Sequence, residues 1–231
     1  MSKPVMMVDK DGTIFYNKGT IDGFEKAFQG FAKPEDVRYF INHTGGYHAR
    51  KQIEMIFLSQ DKNLTLDEII ENEKQYQYQI VALEHDPRVQ NVEGNLWEFL
   101  ANEPVIVYED ARLAIPRFAD RYTLVLSTGY RESIAQRQLQ KAGFAKHFDM
   151  VLGDPKDATH VEKVLQKYGR VDAYVGDGRG DMIIARTVSM KRFGIDRKGN
   201  AQELRDAGAD EVFNDLIELE CYLSSSAAQG R

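Results

Sequence analysis

Val5-Met6-Met7-Val8-Asp9-Lys10-Asp11-Gly12-Thr13 opens the chain with four apolar residues that stop abruptly at two acids and a glycine. So short an apolar run, ended by a loop signal, reads as a buried β-strand with the acids just past its end. The pattern recurs three times. Tyr122-Thr123-Leu124-Val125-Leu126 precedes Ser127-Thr128-Gly129, and Phe148-Asp149-Met150-Val151-Leu152 precedes Gly153-Asp154. Val171-Asp172-Ala173-Tyr174-Val175 precedes Gly176-Asp177. Helical patterns lie between these runs. Glu132 to Ala142 places Ile134, Leu139 and Ala142 on one face and stops at Gly143, while Thr159-His160-Val161-Glu162 has the form of a capping box, its helix closed by Gly169. Strands alternating with helices predict an α/β fold, a doubly wound parallel sheet, whose ligands collect beyond the carboxyl ends of the strands. All four polar clusters fall there.

Residues 17 to 105 break the alternation. Pro34 suits the first turn of a helix through Phe40, and Thr65-Leu66-Asp67-Glu68 is a second capping box. Leu66, Ile69, Ile70, Tyr76, Ile80 and Val81 then give a helical stripe. The expected organisation is a catalytic core of residues 1–16 and 106–231 with a helical domain, 17–105, inserted after the first strand. Pro116 is expected to kink or start the helix within Ala111 to Arg121, and the small, polar stretch Ser224 to Arg231 to fray.

Composition excludes more than it names. Hydrophobic residues at 42% and charged residues at 29% are ordinary globular usage. A formal charge of −6 with no basic stretch argues against nucleic acid as a partner. The single cysteine, Cys221, permits no internal disulfide and suits a reducing compartment. No apolar run approaches the length of about 18 residues needed to cross a membrane. The expectation is a cytoplasmic protein, monomer or homodimer alike, with a small-molecule partner.

Two acids two apart on a strand would face opposite ways, but a chain turning at the strand end lets Asp9 and Asp11 line one pocket. One carboxylate can then attack while the other handles protons. A carboxylate attacking a phosphate dianion meets repulsion of roughly 8 kcal/mol at ~4 Å and an effective dielectric of ~20. Lys156 and a magnesium ion held by oxygen ligands are the sources of offsetting charge, with Asp177 and Asp181 as further carboxylates. The hydroxyl of Ser127 or Thr128 can donate to phosphoryl oxygens, as can nearby backbone amides. Each residue has a plainer reading as well: Asp181 as a helix N-cap, Asp177 as a turn acid, Lys156 as a solvated lysine. Gly176-x-Gly-x-Gly is discounted as a nucleotide loop because its two acids would repel a pyrophosphate.

Asp9-Lys10-Asp11-Gly12-Thr13, Ser127, Lys156, and Gly176-Asp177 with Asp181, in that order, resemble the four motifs of the haloacid dehalogenase-like hydrolases, mostly phosphatases. The resemblance covers nearly all of the core. It implies a Rossmann-like core, Asp9 as nucleophile, Asp11 as general acid and base, and Ser127 and Lys156 as phosphate binders. It also implies Mg2+ held by Asp9, the Asp11 carbonyl, Asp177 and Asp181. The insert looks like the helical cap of the phosphoglycolate phosphatase-like branch, and Ala207-Gly208-Ala209-Asp210-Glu211-Val212 looks like that branch's last strand. Tyr16-Asn17 and Asp157 depart from residues common in the family at those positions.

Within the insert, His43-Thr44-Gly45-Gly46-Tyr47-His48-Ala49-Arg50-Lys51 pairs glycines with histidines and bases. Read functionally it is a substrate-selecting loop in which His43 or Arg50 meets an anion; read plainly it is a solvated helix–helix loop. The resulting expectation is a magnesium-dependent phosphatase acting on a small phosphorylated metabolite through an aspartyl-phosphate. A sugar phosphomutase using the same intermediate, a metal-independent carbon–halogen hydrolase that needs no second acid, and a non-catalytic binding protein are the alternatives.

Overall fold

The computed structural model describes residues 3–16, 18–44 and 47–229. Asn17, Gly45 and Gly46, singled out above, lie outside the described residues. The chain forms two compact units, Met1–Tyr16 with Val105–Arg231, and Asn17–Pro104.

Strand β1 (Val5–Asp9) is followed by the helices of the second unit, α1 (Lys18–Ala27), α2 (Pro34–His43), α3 (Ala49–Lys62), α4 (Leu66–Glu71), α5 (Glu73–Ala82) and α6 (Pro87–Asn102). The first unit resumes with α7 (Glu109–Arg121), β2 (Thr123–Ser127), α8 (Glu132–Ala142), β3 (Met150–Leu152) and α9 (Thr159–Tyr168). It finishes with β4 (Ala173–Gly176), α10 (Arg179–Ala185), β5 (Lys191–Ile195), α11 (Ala201–Asp206), β6 (Glu211–Phe213) and α12 (Leu216–Gln229).

The six strands form one parallel sheet in the order β3-β2-β1-β4-β5-β6. Strand order reverses between β1 and β4, the crevice where such sheets bind ligands. Register aligns the strand ends: Asp9 opposite Ser127, Ser127 opposite Leu152, Val8 opposite Val175. Every residue of β1 is buried, so the strand is covered on both faces, as its unbroken apolar run requires. On one face Val5, Met7, Val125 and Tyr174 pack with Val161 and Val164 of α9 and Ile184 and Ala185 of α10. Each fully buried Val or Met contributes about 1.5–3 kcal/mol relative to exposure.

In the helical unit, α1 packs on α2 and α6, and α3 on α5 and α6. Pro34 opens α2, and Thr65 and Glu68 form the reciprocal capping box at α4. No helix among the described residues is long and apolar enough to cross a membrane.

Several local expectations are corrected. The box at Thr159 does not form: Asp157 Oδ1 takes both the Thr159 N–H (2.9 Å) and its hydroxyl (2.6 Å), and Ala158 occupies the cap position. The nearer carboxylate captures the donors that Glu162 would have shared. The stripe from Leu66 to Val81 is cut at Asn72 into α4 and α5, leaving Ile69 and Ile80 buried and Val81 exposed. Helix α7 starts at Glu109 and runs on through Pro116, which removes one intrahelical donor. Of the stretch Ala207 to Val212 only Glu211 and Val212 are in a strand; Ala207 caps α11, and Gly208 turns the chain at φ +110°. The tail expected to fray continues α12 as far as Gln229, with Ser224 tied to Glu220 and Arg121, while Gly230 and Arg231 lie outside the described residues.

Candidate active site

Past the end of β1 the backbone closes a tight turn. The N–H groups of Ile14 and Phe15 both donate to the Lys10 carbonyl at 2.9 Å, and the Gly12 N–H donates to the Phe15 carbonyl at 2.7 Å. The turn lifts Asp11 off the strict strand alternation that would separate it from Asp9. Gly12 takes φ +82°, and a Cβ there would lie 2.0 Å from an oxygen of Asp177. A Cβ on Gly176 would meet the Asp181 carboxyl at 2.4 Å. Both glycines make room for acids.

Asp9 is almost wholly enclosed. Its Oδ1 accepts from Lys156 Nζ at 2.5 Å and its Oδ2 from the Thr13 hydroxyl at 3.2 Å. Lys156 also lies 2.6 Å from Asp181 Oδ1, and Asp181 Oδ2 accepts the Gly178 N–H at 3.0 Å. Asp181 is thus an N-terminal capping acid of α10 and a member of the cluster at once. Oxygens of Asp9, Asp177 and Asp181 lie within 4.8 Å of one another, all three residues buried.

Three acids around one enclosed lysine set the electrostatics. Burial pushes Asp9 well above the usual carboxylate range; Lys156 opposes this, and Asp181, Asp177 and Asp11 reinforce it. Burial raises Asp177 too, against the pull of Lys198. Burial alone would lower Lys156, but Asp181 and Asp9 hold it well above the ordinary lysine value. This excess of carboxylate is what a divalent cation relieves, and an all-oxygen donor set suits a hard ion. The residues present therefore fit a metal of the magnesium class.

The other expected residues are placed as follows. Asp11, partly exposed, pairs with Lys10 Nζ at 2.5 Å, and Lys10, enclosed, stands 3.6 Å over the Tyr130 ring. Ser127 and Thr128 are fully buried at the end of β2. The Thr128 N–H is already given to the Leu152 carbonyl at 3.0 Å, and its side-chain oxygen accepts the Tyr130 N–H at 3.2 Å. In the helical unit, Arg50 is held by Glu93, whose second oxygen accepts the Trp97 indole N–H at 3.1 Å. His43 is exposed, its ring tilted against that of Tyr39 with centroids 4.1 Å apart, and bonded through Nδ1 to the Tyr39 carbonyl at 2.7 Å.

Sequence reasoning did not single out the loop after β5. Lys198 Nζ lies 3.0 Å from Asp177 Oδ2, and Asn200 Nδ2 donates to the Asp177 carbonyl at 3.1 Å. Arg197 donates to the carbonyls of Gly12 (3.3 Å) and Thr13 (3.1 Å) and to Asp110 (2.6 Å), and stacks 3.9 Å from the Tyr108 ring. It fastens the acid-bearing turn to the sheet. A polar cluster following a strand was the available signal; that strand's own residues hid it.

The family model for haloacid dehalogenase-like hydrolases matches residues 4–189. The chain belongs to the haloacid dehalogenase-like hydrolases. Solved structures share the fold. A haloacid dehalogenase-like family hydrolase from Streptococcus pneumoniae is 17% identical, with TM-score 0.70, covering 96% of this chain and 98% of its own. A predicted phosphatase from Clostridium acetobutylicum is 15% identical, with TM-score 0.72, covering 97% and 100%. A predicted phosphoglycolate phosphatase from Haemophilus somnus is 13% identical, with TM-score 0.69, covering 95% and 97%. A search of curated proteins gives no match. In this chain Asp9, Ser127, Lys156, Asp177 and Asp181, far apart in sequence, come together at adjoining strand ends.

Proposed function

We propose that this hydrolase is a magnesium-dependent phosphatase that cleaves a small phosphomonoester by way of an aspartyl-phosphate on Asp9. One observation carries the reading: an enclosed carboxylate at the switch point of the sheet, 2.5 Å from Lys156 and grouped with Asp177 and Asp181.

In this reading an Asp9 oxygen attacks phosphorus as the ester P–O bond breaks, and Asp11 gives its proton to the departing oxygen. Asp11 then takes a proton from water as the water oxygen attacks phosphorus and the bond to Asp9 breaks, releasing phosphate and free Asp9. Lys156 offsets the repulsion between the Asp9 carboxylate and the substrate dianion. Ser127 and Thr128 offer hydroxyl hydrogens to phosphoryl oxygens. Asp9, the Asp11 carbonyl, Asp177 and Asp181 would hold Mg2+, which supplies positive charge against the phosphoryl oxygens when bound. The helical unit serves as the substrate-selecting cap. Exposed His43 is the freer of its two candidates, since Glu93 occupies the fork of Arg50.

The test is release of inorganic phosphate from an aryl phosphate and a panel of phosphorylated metabolites, with Mg2+ and after chelation. Release that needs the metal and disappears in Asp9→Asn is expected. Activity indifferent to chelation would overturn the metal's role, and isomerisation of a sugar phosphate without release of phosphate would replace the phosphatase with a mutase.

A further inference from the structure

Beside the acids lies an enclosed polar chain in which the reaction above uses Ser127 and Asp181 but neither His160 nor Tyr174. Ser127 Oγ is 2.8 Å from His160 Nδ1 and 2.9 Å from the Tyr174 hydroxyl, which also reaches Asp181 Oδ1 at 3.2 Å. The other imidazole nitrogen, His160 Nε2, is 3.0 Å from the Gly153 carbonyl. Ser127, His160 and Tyr174 are all 0% exposed.

Counting hydrogens fixes the directions. A carbonyl only accepts, so Nε2 must carry a hydrogen. A neutral imidazole has just one, so Nδ1 accepts and the Ser127 hydroxyl is the donor to it. Ser127 has a single hydrogen, and His160 holds it. The hydroxyl cannot serve a phosphoryl oxygen while that bond stands. Turning it away would strand Nδ1 as a buried acceptor with no donor, an unfavourable state.

Resting on the phosphatase reading of this site, we propose that His160 is the positioning residue for the Ser127 hydroxyl, and that oxyanion binding is coupled to uptake of one proton by its imidazole. In the ligand-free site His160 Nδ1 keeps the Ser127 hydrogen. When an oxyanion arrives, that hydrogen turns to the ligand, Nδ1 takes a proton from solvent, and the new N–H donates to Ser127 Oγ. The hydroxyl then gives one hydrogen bond and can accept two, its full capacity. No covalent bond changes apart from the added N–H.

The surroundings favour this order of events. The charged and titratable groups around His160 are Lys156 and Asp157 before α9, Lys163 on it, and Tyr174 on β4. Burial, with Lys156 and Lys163 adding to it, keeps the imidazole below its ordinary value, against the pull of the Gly153 carbonyl and Asp157. The ligand-free site therefore holds a neutral His160, and a dianion nearby supplies the charge that makes the imidazolium favourable.

Sulfate is the probe, because it remains a dianion across the working pH range. Its binding, with Mg2+ present, is measured calorimetrically at one pH near neutrality in buffers of different ionisation enthalpy, which counts protons taken up. Asp9 and its neighbours contribute equally in wild type and variants, so the difference reports His160. Wild type should take up roughly half to one more proton per sulfate than His160→Asn, and its affinity should weaken more steeply with pH, by up to about tenfold per unit. Ser127→Ala, which leaves the imidazole in place, should lose the same uptake and decides the matter if the Asn variant does not fold. Equal uptake in wild type and a folded variant would overturn the proposal. A wild type that hydrolyses phosphomonoesters yet shows no excess uptake sinks His160 alone; one that neither binds sulfate nor releases phosphate sinks the phosphate site itself.

Discussion

Each unit of the molecule encloses charge, and the two do so differently. At the strand ends of the α/β unit, Asp9, Asp177 and Asp181 outnumber the enclosed Lys156, and burial, reinforced by the neighbouring carboxylates, pushes Asp9 and Asp177 upward. In the helical unit, Arg50 donates through Nε and Nη2 to one Glu93 oxygen while the Trp97 indole N–H donates to the other, so both oxygens are engaged. Unbalanced buried charge is costly and persists where chemistry uses it. Balanced buried charge holds helices in register. Glu54, buried beside Arg50 without a partner of its own among the described hydrogen bonds, is the exception in the helical unit.

The largest effect should come from breaking the unbalanced side. Asp9→Asn should lower phosphate release more than about 1,000-fold, since the amide cannot form the acyl phosphate. The same variant should melt no lower than wild type above neutral pH. Burial raises the folded-state pKa of Asp9 above its unfolded value, so its contribution is full below the unfolded pKa and is lost as pH rises through the folded one. A variant that is dead and also markedly less stable would show that Asp9 is structural. Glu93→Gln inverts the pattern. One end of the amide must turn N–H toward the donors of Arg50 or Trp97, costing about 3 kcal/mol by denaturant unfolding. Turnover per folded molecule should stay within about threefold.

How much of this was legible in the sequence follows from the same contrast. Strands β1, β2 and β4 announce themselves because burial on both faces demands unbroken apolar runs, and the polar residues at their ends, Asp9, Ser127 and Asp177, stand out against them. Strand β5 does not, because Lys191 and Arg192 fill its first two positions and only Phe193, Gly194 and Ile195 are buried. With the strand unseen, Arg197, Lys198 and Asn200 beyond it had no frame. Tyr174 and His160 were hidden otherwise: an aromatic in a strand and a histidine after a threonine look like core and cap, and only three-dimensional proximity joins them to Ser127. In the helical unit, apolar spacing marked helices but not the break at Asn72, since both α4 and α5 keep helical periodicity across it.

Glu54 offers a smaller, pH-dependent test of the exception. Burial raises it to about 7, Arg50 pulling it down while Glu84 and Glu93 push it up. A folded-state value above the unfolded one means full stability in acid and loss as pH rises through about 7. Glu54→Gln should therefore match wild type at pH near 4, below the unfolded value, and be about 2 kcal/mol more stable at pH near 8. A gain of the same size at both values would mean that packing, not ionisation, is responsible.

The smallest effect separates two threonines that carry the same sequence signature. Thr65 closes a true capping box, its Oγ1 accepting the Glu68 N–H at 3.2 Å while Glu68 Oε2 accepts the Thr65 N–H at 2.7 Å. Thr65→Ala removes one half of that exchange at the start of a helix only six residues long, and should cost about 1 kcal/mol. Thr159 has the same Glu three residues on, yet its hydroxyl donates to Asp157 and caps nothing within α9. Thr159→Ala leaves the Asp157 bond to its backbone N–H in place and should cost less than about half as much. Urea unfolding of the two variants side by side decides it. Equal losses would mean that Thr159 caps its helix in solution, and that the competition from Asp157 does not hold.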